Sequence, residues 1–401
     1  MPTVPFSNAQ KAGASPALTR SLMLLMAVSA GVGMANLYYN QPLLEQMRTA
    51  FGLTVQQAGW IPTLTQLGYA LGMLFLVPLG DMLSRKPLVL SFTLTAALGS
   101  LGIAMSTNFM WLAVMSFLFG LSTMAPQLLV PFAAYLAPNE AKGRVVGTMV
   151  SGILVGVLLA RTVSGFVGAS FGWRAMFGLA AVVLCVNAVV LGKALPTVPP
   201  TYHGRYLGLL VSVWQFLKRE PVLREACLFG AMQFGSFMVF WSSLIHLMET
   251  PTFGLGPRAV GLYGLLGAAA ILLGPLVGSF ADKTDPRRLT GAMIGLLMAS
   301  YAVVYLGSES LVVIGLGVLL MDIGMRMGHV TNQGRIFRLA PHAQSRLQTA
   351  YMVSYFCGGA LGSALGSWAW AQWRWAGVCL SAAIMLSIAA LRWLMPPAPA
   401  T

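Results

Sequence analysis

PLVLSFTLTAALGSLGIAMSTNFMWLAVMSFLFGLSTMAPQLLVPFAAYLAPN, residues 87–139, contains no Asp, Glu, Lys or Arg. A helix rises 1.5 Å per residue, so ~20 predominantly apolar residues cross the hydrocarbon core of a bilayer. The run suffices for two crossings, with Ser106-Thr107-Asn108 as the turn between them. Other charge-free runs occupy 21–44, 49–80, 226–248, 259–281 and 347–373. Transmembrane β-strands read as ~10-residue alternating segments, and nothing here alternates.

The whole chain follows this pattern. Of its 401 residues 57% are hydrophobic and 8% charged, and the mean hydropathy is +0.76. Soluble domains carry roughly 25% charged residues, so this chain could not cover a folded surface in water. It reads as an all-α, multi-pass membrane protein. Twelve spans are expected, near 21–44, 55–79, 87–106, 109–136, 145–170, 174–195, 225–248, 258–280, 288–307, 310–335, 346–371 and 375–395. Residues 1–20 are a polar tail. The apolar run after them is longer than a signal-peptide core and is expected to stay in place as the first span. The four cysteines lie in apolar runs at no metal-ligand spacing.

The net charge of +14 orients the chain and requires no nucleic-acid partner. Twelve spans put both termini on one side. That side carries eighteen of the 24 Lys and Arg, against four (Arg48, Arg174, Arg258, Arg374) on the other. The positive-inside rule therefore makes both termini cytoplasmic, in a cytoplasmic (inner) membrane.

Internal repeats hold one register. FGLTVQQAG (51–59) is echoed by FGLGPRAVG (253–261), VPLGDMLSRK with Asp81 by GSFADKTDPRR with Asp282, and LAPNEAKGR (136–144) by LAPHAQSR (339–346). Trp173 and Trp375 keep the same offset. Small residues recur every four positions in the fifth span (Thr148, Gly152, Gly156, Ala160, Ser164, Gly168) and the eleventh (Ala350, Ser354, Gly358, Gly362, Gly366). Helices in lipid associate largely by close approach at such residues. The expected architecture is two pseudo-symmetric six-helix bundles, 21–195 and 224–396. A Pro-rich cytoplasmic linker, 196–223, joins them and ends in a helix lying on the membrane surface. Parallel repeats of this kind are the layout of a rocker-type transporter.

With these residues in view, the chain resembles the major facilitator superfamily over residues 20–395. VPLGDMLSRKPL (77–88) is similar to that superfamily's loop signature, with Leu79, Asp81, Arg85 and Lys86 in the matching places. Val77 and Ser84 stand where it usually has glycines. The resemblance implies a cytoplasmic latch built on Asp81, Arg85 and Lys86, with Asp282 in the looser second copy. Asp81 would face the N-terminus of the eleventh helix, where a carboxylate is favoured. NLYYNQPLL (36–44), ARTVSGF (160–166), HVTNQGRI (329–336) and RLQTAYM (346–352) look like a bacterial branch grouped with drug and sugar efflux proteins. LLARTVSGFVG, however, lacks the Gly-Pro pair typical of proton-driven drug exporters in the fifth span.

Ionisable groups inside a membrane are costly and default to functional candidates. Of the ten acids only Asp322 falls near mid-span; Glu225 and the others fall at span ends or in loops. Arg161 and Arg326 join it in the interior. At ~100° per residue Asp322, Arg326, His329 and Gln333 share one face within ~60°, and Asp322 and Arg326 form an i,i+4 pair. The resemblance places the tenth helix at a central cavity. Asp322 is thus a candidate proton carrier, alternatively a static ion pair with Arg326, and His329 a candidate relay. His246 reads as an interface residue. On the first span Asn36, Tyr39 and Asn40 share a face beside Tyr38 and Gln41, and the repeat sets Phe240, Trp241 and Ser242 opposite them. Asn36, Tyr39, Asn40, Arg161, Trp241 and Gln333 are the candidate substrate contacts.

No phosphate-binding loop occurs, and no nucleophile–base or metal-site spacing, so neither an enzyme nor a cofactor is expected. The reading is a monomeric secondary transporter exporting small organic molecules in exchange for protons. One alternative is an organic-anion carrier using Arg161 and Arg326; another is a non-transporting membrane sensor or scaffold.

Overall fold

The computed structural model describes residues 18–199, 206–267, 285–339 and 344–396, and among them every regular element is helical. In chain order these are α1 (Arg20–Ala50), α2 (Val55–Met82), α3 (Arg85–Ala104), α4 (Phe109–Leu136), α5 (Lys142–Phe171) and α6 (Trp173–Ala194). There follow α7 (Tyr206–Arg219), α8 (Pro221–Met248), α9 (257–267), α10 (Pro286–Leu306), α11 (Leu311–Phe337) and α12 (Gln344–Leu394). Ten of them are long and apolar enough to cross a bilayer. The eighth expected span, 258–280, and the Asp282 motif lie largely or wholly outside the described residues.

Local signals set the helix ends. Thr54 and Gln57 form a reciprocal capping box at the start of α2. Asn108 caps α4 through the Trp111 N–H, directly after the turn expected at 106–108. Asp285 caps α10, with Pro286 at its first position.

The repeat is visible in backbone angles. Gly52 (φ 61°) and Gly254 (φ 58°) make the same left-handed turn at the same repeat position. Gly172 (φ 81°) ends α5, and its counterpart is Arg374 (φ 53°). With Trp373, Arg374 breaks the 51-residue α12 into limbs 344–372 and 375–394.

Both small-residue stripes are contact faces. A Cβ on Gly156 would lie 2.1 Å from the Gly31 carbonyl oxygen of α1, and one on Gly152 would meet that of Ala27 at 2.4 Å. In the second stripe, Cβ atoms on Gly358 and Gly362 would strike the carbonyls of Ala231 and Gly235 on α8, at 2.2 and 2.0 Å. The seams α1–α5 and α8–α12 are therefore backbone against backbone.

Contacts between helices before α7 and those after it gather towards one end. Glu45 meets His246, Gly59 abuts Ser367, Gly165 abuts Pro257, and Thr162 donates to the Gly261 carbonyl. At the other end of α5, Val150 and Val155 are exposed and nothing stands near Gly143 or Gly147. α7 lies at that open end. Its Tyr206 hydroxyl donates to the Phe75 carbonyl of α2, and Phe216 sits under the Arg346 guanidinium of α12. Leu207, Val211 and Trp214 form an exposed apolar stripe along it.

Candidate functional site

Arg161 stands two-thirds of the way along α5 and is 2% exposed. Its Nε donates to Gln41 Oε1 at 2.6 Å. Three rings crowd its guanidinium carbon, with centroids at 3.9 Å (Trp241), 4.9 Å (Tyr38) and 5.6 Å (Phe237). A local change of winding in α1 accompanies these partners. Asn36–Tyr38 form a 3₁₀ turn, which winds tighter than an α-helix. The polypeptide after it is rotated, and Tyr38 and Gln41 present themselves to α5. Tyr39 contributes its backbone instead, since its carbonyl accepts from Ser164 Oγ at 2.5 Å.

The i,i+4 pair forms as its spacing demands. Arg326 Nη2 lies 3.3 Å from Asp322 Oδ1, and Asp322 is 2% exposed. α9 bridges the two charged helices through its small residues. A Cβ on Gly264 would stand 3.0 Å from Arg161 Cβ, and one on Gly267 would stand 3.4 Å from both Arg326 Nη2 and Asp322 Oδ1. Arg161, Asp322 and Arg326 thus share one buried locality. No carboxylate reaches salt-bridge distance of Arg161 among the described residues.

Other candidates fall nearby or apart. His329 turns to α12, its Nδ1 3.1 Å from the Tyr351 hydroxyl and its ring 4.8 Å from that of Tyr355. Among the described residues no hydrogen bond joins it to the Asp322–Arg326 pair. Gln333 is half-buried farther along α11. Asn40 donates to Thr65 Oγ1 at 3.3 Å. Several buried polar atoms lack a hydrogen-bond partner: both amide atoms of Asn36, Asn40 Oδ1, Arg161 Nη2, Arg326 Nε and Trp241 Nε1. Buried polar groups are nearly always paired, which makes these atoms candidates for contact with a ligand or water. At the loop motif, Arg85 Nη2 is 3.9 Å from Asp81 Oδ1 and its guanidinium stacks over Tyr135; Lys86 is half-buried beside it.

Two ionic clusters went unread in the sequence. Glu225 is not merely a span-end charge: it is 3% exposed and faces Arg335, Arg287 and Arg392 at once. Those arginines come from α11, α10 and α12, so one carboxylate ties four helix ends together. Glu45 pairs with Arg48 and with His246 Nδ1 at 3.0 Å, fixing α1 to α8 and bearing out His246 as an interface residue. The His246 end opens into a cavity of about 680 Å³ lined by Glu45, Arg48, Glu249, Trp370 and Arg374, separate from Arg161 and Asp322.

Comparison with known proteins agrees with this architecture. The model of the Major Facilitator Superfamily matches residues 23–352. The uncharacterized transporter YgaY of Escherichia coli O157:H7 is 40% identical over 376 residues, covering 94% of this chain and 95% of its own. The probable transporter SCO4007 of Streptomyces coelicolor is 33% identical, covering 93% and 87%. Among solved structures, a bacterial homolog of the human lysosomal transporter Spinster, inward-facing and occupied, superimposes with a TM-score of 0.75 at 14% identity, over 95% of this chain and 97% of that one. On the family match and on relatives this similar along nearly its whole length, the chain belongs to the Major Facilitator Superfamily.

Proposed function

We propose that this protein is a secondary transporter that exports small organic molecules by alternating access in exchange for protons, with Asp322 as the proton carrier. The observation that carries the reading is the buried Asp322–Arg326 pair at 3.3 Å beside Arg161. A carboxylate inside a membrane persists where it has a counter-charge and a task. Here the counter-charge can be shared or released when a substrate or proton arrives.

The rest of the reading follows from this. Two six-helix bundles, 21–195 and 224–396, rock about the Arg161–Asp322 region, and 196–223 link them along the cytoplasmic face of the inner membrane. Both termini are cytoplasmic and the unit is a monomer. Contacts between the halves at the Glu45–His246 end, with open space beside Gly143 and Gly147 at the other, support an inward-facing state. Asp81, Arg85 and Lys86 form the latch that fastens when the cytoplasmic side closes. His329 and Gln333 extend the polar face of α11 towards the opening, and the drug and sugar efflux branch is the assigned kin. A second reading, carriage of organic anions on Arg161 and Arg326, is favoured by the surplus guanidinium at the site.

Reconstituted protein tests the proton assignment. Asp322→Asn is expected to abolish substrate-dependent proton movement in liposomes while the protein stays folded. Proton movement equal to that of the unaltered protein would reject it.

A further inference from the structure

The interior charges do not balance. Two guanidiniums, Arg161 and Arg326, face one carboxylate, Asp322, which Arg326 holds at 3.3 Å. Arg161 takes only a neutral partner, the Gln41 amide oxygen, and its Nη2 is buried without an acceptor. Of the ten acids in the sequence, nine lie among the described residues, and only Asp322 stands near these two guanidiniums. Residues 268–281 contain no Asp or Glu. A buried, unmatched cation is costly, and the chain tolerates one here beside a second orphan donor, Trp241 Nε1.

The geometry narrows the anion. Rings of Trp241, Tyr38 and Phe237 crowd the Arg161 guanidinium, so its remaining donor acts in the guanidinium plane. A planar carboxylate matches in-plane N–H donors. Trp241 and Phe237 put apolar rings directly beside the guanidinium. One surplus positive charge asks for one negative charge.

We propose that the transported molecule is an organic monocarboxylate, whose carboxylate is bound by Arg161 Nη2 and Trp241 Nε1 and whose apolar part packs against the aromatic residues of α1 and α8. This deepens the transporter reading and rests on it for the word "transported"; the binding site itself does not depend on proton coupling. Asp322 is then the second anion of a site that balances only when loaded. Arg326 pairs with Asp322 and is half-buried rather than sealed.

The test is a binding measurement on the full-length protein in detergent at neutral pH. Benzoate and hexanoate are titrated beside benzamide and hexanamide, which keep the shape and lose the charge. Binding is read by thermal shift and by quenching of tryptophan fluorescence. The acids are expected to raise the unfolding temperature and saturate, and the amides to bind about tenfold more weakly or worse. Arg161→Gln should abolish the preference for acid over amide. Trp241→Phe, which keeps a ring and loses the Nε1 donor, should weaken acid binding about tenfold and leave amide binding unchanged. Should Arg161→Gln fail to fold, Trp241→Phe alone decides by the same acid-to-amide ratio. Equal binding of acids and amides, no binding of either acid, or an unaltered ratio in the variants overturns the proposal. Because no proton flux is read, a failure here leaves the Asp322 test standing, and the converse also holds.

Discussion

The Arg161 guanidinium carbon lies 3.9 Å from the centre of the Trp241 ring, joining α5 to α8 across the interface between the two parts of the chain. Desolvated cation–π contacts are worth about 2 kcal/mol. Trp241→Leu should therefore lower stability by more than its lost area, and its effect should shrink once Arg161 is already Gln. A double-mutant cycle read by thermal unfolding in detergent is expected to return a coupling of about 1–2 kcal/mol. Strict additivity would mean that the stacking carries no energy.

How far the sequence announced this site depends on the range of each interaction. The Asp322–Arg326 pair was legible because i,i+4 spacing is a local property of one helix. Arg161 was legible as a buried charge. Its partners were not, because they depend on the 3₁₀ turn at Asn36–Tyr38, and no residue there forces such a turn by type. The stripes of α5 and α12 named their own faces and left open which helix each would meet. His329 shares the Asp322 face by angle, yet the tyrosines of α12 stand nearer to it. Glu225 was the hardest to read, since two of its partners lie 62 and 110 residues away and an acid at a span end ordinarily faces water. The signal available was three arginines at three helix ends on one side with too few acids to match them.

That Glu225 cluster carries the second prediction. Removing the carboxylate strands three guanidiniums, two of them with side chains 9% and 21% exposed. Losing one partner of a buried ion pair costs about 3–5 kcal/mol. Glu225→Gln is expected to unfold at a clearly lower temperature in detergent. Arg392→Gln, removing the most exposed of the three arginines, should cost much less. Equal effects of the two substitutions would contradict a hub centred on Glu225.

Arg374 supplies the third. It adopts φ 53° where its repeat counterpart is a glycine, and left-handed geometry costs a non-glycine residue roughly 1–2 kcal/mol. Arg374→Gly should hold or raise the unfolding temperature, despite the greater freedom of glycine in the unfolded chain. Arg374→Ala keeps the strain and loses the contact with Trp370, so it should be the less stable of the two. The reverse order would refute strain at this bend.

pH dependence gives a fourth. Glu249, just beyond α8, has its carboxyl pushed up to about 7 by partial burial and by the neighbouring Glu45, against an opposing pull from Arg48. Its ordinary value is 4.5, so between pH 4.5 and 7 the folded chain binds a proton that the unfolded chain has released. Stability from this group is therefore fully present at the acid end and declines as pH rises towards 7. The residue is exposed at the cavity edge, so solvent keeps the slope shallow. Glu249→Gln should flatten this part of the thermal-stability profile; an unchanged profile would remove Glu249 as its source.

The glycine seams determine what can move. With Gly156 against the Gly31 carbonyl and Gly362 against that of Gly235, neither helix of a pair can slip by one residue without driving a side chain into a backbone. Ratcheting along these seams is thereby disfavoured, and each pair is expected to behave as one stiff unit. Relative movement of the two parts of the chain, if alternating access holds, would fall to the contacts between them: Trp241 on Arg161, His246 on Glu45, and α9 on α5.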